Sequence, residues 1–216
     1  MVERSLQAQL SRVEAYWQAL RPQSGALPKR SDFNPQGVAE CLSSVMLLER
    51  IAPTVLRVRI AGMTLCDLMG MDLRGMPLNA LIGLESRTEF AKGVERVFDG
   101  PSRVEIQLRG EAGFGRAPIS ARLLMLPMLG HQGEVSRSLA FMGVEGEVTS
   151  RPQRFTVVGT SVRRIEGLPA SRPIPAQGHW APYRARPEPQ GMAEAAIPFA
   201  GAKRSERPWL RLVKSD

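Results

Sequence analysis

AGMTLCDLMGMDLRGMPLNAL, residues 61–81, carries three glycines, each followed by a methionine, with leucines in most of the gaps. Three readings compete for it: a phosphate-binding loop, a methionine-lined metal or cofactor site, or a piece of core that makes tight turns. A phosphate loop needs closely spaced glycines between a strand and a helix, so that backbone N–H groups can approach the anion. Gly62, Gly70 and Gly75 are eight and five residues apart and form no G-x-G-x-x-G or GK[ST] pattern. Met63, Met69, Met71 and Met76 could suit a soft metal, but only Cys66 stands beside them as a further soft ligand. Methionine is a common filler of irregular cores, so the third reading is preferred. Gly62 then ends a strand, Gly70 caps a short helix in the left-handed conformation, and Gly75 precedes Pro77 at the next turn.

Working outward, Leu6, Leu10, Val13, Trp17 and Leu20 recur at spacings of 4, 3, 4 and 3, an apolar seam on an amphipathic helix that Pro22 ends. Two heptads are too few for an isolated coiled coil. The seam must therefore pack on its own domain or on the same helix of a second copy, and these five residues are the dimer-interface candidates. A helical turn over Pro35–Leu42 leads to two strands, Ser44–Ile51 and Val55–Ile60, joined tightly at Pro53 and Thr54 as an antiparallel hairpin. Beyond residue 81, Ser86 and Glu89 form an S-x-x-E capping box. Phe90, Val94, Val97 and Phe98 mark one helical face, which Asp99, Gly100 and Pro101 stop. Three strands come next as a meander: Arg103–Arg109, Ile119–Met128 and Arg137–Val144, with turns at GEAGFG and GHQG. This order predicts an α+β domain in which helices cover one face of a five-stranded antiparallel sheet.

The element order resembles the PAS domain. The stretch from Leu65 to Met69, then Gly70, then Leu73, Arg74 and Gly75, then Pro77 to Ile82 is similar to the helix and glycine turns that come after the second PAS strand. YWQALRPQSGALPKRSDFNP and LLMLPMLGHQGEVSRSLAFM resemble one subgroup, the short bacterial proteins made of a single PAS domain. The resemblance covers about residues 14–145 and leaves out the C-terminal segment. It implies a sensory or protein-interaction module with no attached output domain such as a kinase, and it names no signal. Its cofactor-binding branches leave local signatures that are missing here. Cys66 in TLCDLM lacks the polar helix motif of the photoactive flavin branch, and His131 falls in a turn rather than a haem pocket. No cofactor and no metal are expected. A ligand, if bound, belongs between the sheet and the helical insert, near Leu65, Leu68, Met69, Phe90 and Val94; the same residues can equally form a filled core.

The chain has 216 residues and a formal charge of +8, unevenly spread. Residues 1–147 hold 17 basic and 16 acidic side chains, whereas 148–216 hold 12 and 5 together with nine of the 17 prolines. The expected organisation is an N-terminal helix (1–22), a PAS-like domain (23–147) and a basic, proline-rich, mostly irregular tail (148–216). Two patches in that tail, Phe155 to Val158 before Arg163 and Arg164, and PWLRLVK around Trp209, could dock on a partner. Cys41 and Cys66 read as reduced thiols, and neither a secretory signal nor an apolar run of membrane-spanning length is present. No histidine lies near a candidate nucleophile, so no catalytic residues are proposed. The expected role is a cytoplasmic sensory or regulatory module, a homodimer that also contacts a signalling protein, with or without a small apolar ligand. The alternative is a nucleic-acid adaptor binding through its basic tail.

Overall fold

The structure, a computed structural model, describes residues 2–111, 118–146, 148, 151–166 and 168. Helix α1 (Val2–Leu20) is followed by a linker and a ten-residue 3₁₀ segment, Pro35–Ser44, which Asn34 caps by accepting the Gln36 N–H. Strands β1 (Val45–Ala52) and β2 (Val55–Ala61) make the expected hairpin, and helices α2 (Met63–Met69) and α3 (Arg87–Phe98) form the insert. Strands β3 (Ser102–Gly110), β4 (Ser120–Leu129) and β5 (Val135–Glu145) make the meander. A sixth strand, β6 (Phe155–Arg164), then pairs with β3. The order across the sheet is β2-β1-β5-β4-β3-β6, with every neighbouring pair antiparallel.

Five strands are expected from the sequence and six are present. Phe155–Arg164 lies in the segment assigned by composition to the irregular tail. Proline content dominates that assignment, yet no proline falls within FTVVGTSVRR, which is rich in β-branched residues. The tail beyond residue 168, including PWLRLVK, lies outside the described residues, as do residues 112–117, which include the last four of the GEAGFG turn.

Strands β4 and β5 set the layering. Leu123 to Met128 and Ser138 to Gly143 are buried without a break. A strand with one wet face alternates; continuous burial requires cover on both faces. The register places Ile106, Leu123, Met142 and Met46 on one face, with Val104, Met125 and Ala140 beside them. There α3 presses against β3 so closely that a Cβ on Gly93 would stand 3.0 Å from Ile106 Cδ1.

The opposite face, carrying Leu124, Leu126, Leu139 and Phe141, is covered by α1. Leu10, Val13 and Trp17 are fully buried, Leu6 nearly so, and Leu20 packs at the margin of the same core. The seam thus packs on its own domain, and in the single chain its side chains are not free to meet a second copy. Trp17 donates its Nε1–H to the Pro127 carbonyl at 3.0 Å, which satisfies the indole in an otherwise apolar site. A Cβ on Gly143 would strike Leu6, so glycine at that position lets the start of the helix approach the sheet.

A chain of alternating charges runs along the same face. Glu105, 8% exposed, accepts from Arg103 and Arg122, and Glu14 on α1 accepts from Arg103 and Arg163. Burial pushes the Glu105 carboxyl up, but the hydrogen bonds and charges of Arg103 and Arg122 outweigh it and hold the pKa below the usual carboxylate range.

The docking of α1 is open to two measurements. Leu10→Ala should lower unfolding stability by about 2–5 kcal/mol in urea titrations, with no change in subunit count by light scattering. For Glu105, a lowered folded-state pKa means stability that is complete above the unfolded value and lost as pH falls through the folded one. Glu105→Gln should therefore cost on the order of 1–3 kcal/mol at pH 7 and flatten the decline of Tm on acidification below about pH 5.

Candidate functional site

The stretch at 61–81 crosses the inner face of the sheet and is stitched to it. Gly62 caps α2 at a point where a Cβ would collide with the Ser43 carbonyl, so the turn out of β2 requires glycine. Gly70 ends α2 in the left-handed conformation, φ 69°. The chain then returns along β2, where Gly75 N–H donates to Val58 O and Val58 N–H to Met76 O, at 2.8 and 2.9 Å. The outer edge of β2 is thereby paired at its middle, around Val58. From Ile82 the insert reaches the other edge: Gly83 N–H donates to Phe155 O at 2.9 Å, and Ile82 bridges Phe155. One segment therefore spans the sheet from β2 to β6.

The five ligand candidates all lie in the interior. Leu65, Leu68 and Met69 come from α2, Phe90 and Val94 from α3, and all are buried in the same core. Met69, at 5%, is the most exposed of them. Their side chains belong to the one apolar core, and two concavities around Arg30 and His131 lie on the other face of the sheet. Of the four methionines, only Met69 is buried; Met63 and Met71 face solvent.

Ser86 has a role that the sequence pattern misassigns. It is the N-cap of α3, yet its side chain makes no capping hydrogen bond. Its Oγ instead accepts the Val157 N–H of β6 at 3.0 Å, while Glu89 pairs with Lys92. An S-x-x-E pattern reports only that a capping box is locally feasible; a strand 71 residues away takes the hydroxyl. The segment before β6 is tied as well. Gln153 is buried, its N–H donates to Leu68 O at 2.9 Å, and its Nε2 donates to Glu111 O at 3.3 Å. The last turn of α2, the start of α3 and the start of β6 thus form one hydrogen-bonded assembly.

Beyond Val157, β6 stands at the edge of the sheet. Among the described residues no strand pairs with its outer side, and Val158 and Val162 are exposed, with Leu84 exposed on the segment that flanks the strand's start. No sequence signal for this surface exists apart from the short apolar run at 155–158. Among the described residues no group of three His, Cys, Asp or Glu side chains could hold a metal ion. Cys41 is buried, which pushes its thiol pKa up against the opposing charge of Arg12, and Cys66 is also free. No described helix is long and apolar enough to cross a membrane.

Because Ser86 joins α3 to β6, Ser86→Ala should cost about 1–2 kcal/mol and raise amide hydrogen exchange at Val157 and its strand neighbours. An effect confined to the first turn of α3 would mean that the hydroxyl caps the helix after all.

No curated protein matches the chain. A family model described as PAS domain matches residues 6–143, from the buried seam of α1 to the end of β5. With the sheet order and the insert in place, that match over more than half of the sequence identifies the chain as a member of the PAS domain family.

Proposed function

We propose that this PAS module is a non-enzymatic, cytoplasmic regulator that works through protein contact, with β6 as the contact element. PAS membership supports a sensory or regulatory role in general. The finer reading rests on one observation: β6 is bonded to the insert at Gly83 and Ser86 and, through the Gln153 segment, to α2, while the strand from Val158 onward presents an open edge with Val158 and Val162 exposed. A rearrangement around α2 and α3 would shift those bonds and so change what the edge presents. In this reading an apolar signal molecule would enter among Leu65, Leu68, Met69, Phe90 and Val94, where the flexible Met69 side chain can repack.

An open strand edge offers unpaired N–H and C=O groups to an incoming strand. Arg163 and Arg164 close the strand, and their charge limits pairing to the stretch before them. The symmetric partner is a second copy, since identical edges pair antiparallel about a two-fold axis. The buried seam of α1 leaves β6 as the better-supported route to the homodimer.

Sedimentation equilibrium of the full chain should show a dimer, and the double substitution Val158→Lys, Val162→Lys should give a monomer with Tm changed by no more than a few degrees. A wild-type protein that stays monomeric at high concentration, or a variant that remains dimeric, would refute the assignment of the contact to β6.

A further inference from the structure

On the face of the sheet covered by α1, beside the helix rather than beneath it, two adjoining concavities of about 390 and 340 Å³ share Arg30, Ser31 and His131. Five parts of the chain build them. The linker after α1 supplies Lys29, Arg30 and Ser31, β2 supplies Arg59, β5 supplies Arg137, and the β4–β5 turn supplies His131. Leu47 and Leu48 of β1 line the larger concavity. The linker is fixed in place, because Leu129 N–H donates to Pro28 O at 2.9 Å and Lys29 bridges Leu129. Among the described residues no carboxylate lines either concavity.

The nearby carboxylates are already engaged. Glu49 pairs with both Arg59 and Arg137. Burial pushes its pKa up, but those two guanidinium groups outweigh the burial and hold the carboxyl below its usual range, so it is ionised at neutral pH. Asp32 accepts from Lys29 N–H and the Ser31 hydroxyl, and Glu134 accepts from Ser136 and Gln132 N–H. Arg30 has no carboxylate partner among the described residues; its guanidinium rests over the Phe33 ring, 5.7 Å from the centroid. Two arginines share one carboxylate and a third has none. A guanidinium carries five N–H donors, so donors remain for a further acceptor.

We propose that this cleft binds a small oxyanion of two or more negative charges, a phosphate or a di- or tricarboxylate, gripped by Arg30 with Arg59 and Arg137. Guanidinium forks suit the paired oxygens that both groups present, and the volume lies within the range of small-molecule sites. Residues 1–147 carry a net charge of only +1, so the three arginines around the larger concavity, with Lys29 at the smaller one, are a local concentration and not a reflection of a basic body. A bound anion would bridge the linker after α1 to β2 and β5, on the face of the sheet opposite α2 and α3.

The test is a ¹⁵N–¹H titration of the full chain at constant ionic strength, with inorganic phosphate in one arm and citrate in the other. Saturable shifts at Ser31, Gly130, His131 and Gly133 are expected. Arg30→Gln, which removes only a ring contact, should weaken the apparent Kd about tenfold, as should Arg59→Gln. Arg96→Gln on α3 should leave it unchanged. Saturation by phosphate alone assigns a phosphoryl ligand, by citrate alone a carboxylate, and by both an anion read by its charge. The proposal fails if neither anion saturates, if the shifts are confined to residues beyond 168, or if Arg96→Gln weakens binding as much as Arg30→Gln. Should Arg30→Gln fail to fold, Arg59→Gln decides, and unchanged binding in that variant overturns the proposal.

Discussion

Burial of β4 and β5 on both faces is the constraint to which the rest of the structure answers. Six consecutive residues of each strand are shut away from water, and a single layer of helices cannot do that. The insert supplies one cover and α1 the other. Trp17 makes the second cover specific: its ring fills the site and its N–H bonds the Pro127 carbonyl, which fixes where the helix crosses. The charged chain through Glu14, Arg103, Glu105 and Arg122 adds orientation at the helix's flank, each carboxylate held between two arginines.

Covering both faces shifts exposure to the margins. One outer strand, β2, is paired at its middle by the Gly75–Pro77 return. The other, β6, is closed only at its start, where Gly83 and Ser86 reach it. The open remainder is therefore attached to the same segment that packs over the inner face. In the reading proposed above, a change that moves the insert would act on β6 directly, through the hydrogen bonds of Gly83 and Ser86.

Much of the fold is legible because its signals are local. The seam at Leu6, Leu10, Val13 and Trp17 marks α1, the alternation of Leu56, Val58 and Ile60 marks β2, and glycines at 62 and 70 mark the ends of α2. Two misreadings share a cause. Phe155–Arg164 reads as tail when proline content is averaged over 69 residues, whereas a strand needs only about ten that are free of it. Ser86 reads as a capping box because its true partner, Val157, is remote in sequence. The five ligand candidates are all buried in the core, and an apolar pattern does not distinguish a pocket wall from a filled core.

The sequence by itself determined the kind of protein: period-2 and period-3.6 patterns in an order that resembles PAS, with glycines where the backbone must turn. Those patterns record which face of each element is apolar, a property of each segment alone. Only the tertiary structure decided what each apolar face meets. It put the α1 seam on the sheet instead of on a second helix, recruited β6 from a segment whose composition reads as tail, and brought Arg30, Arg59 and Arg137 around one hollow. Partners so far apart in the chain are chosen by the folding of the whole, since a side chain's own neighbours in sequence carry no information about what lies across the sheet.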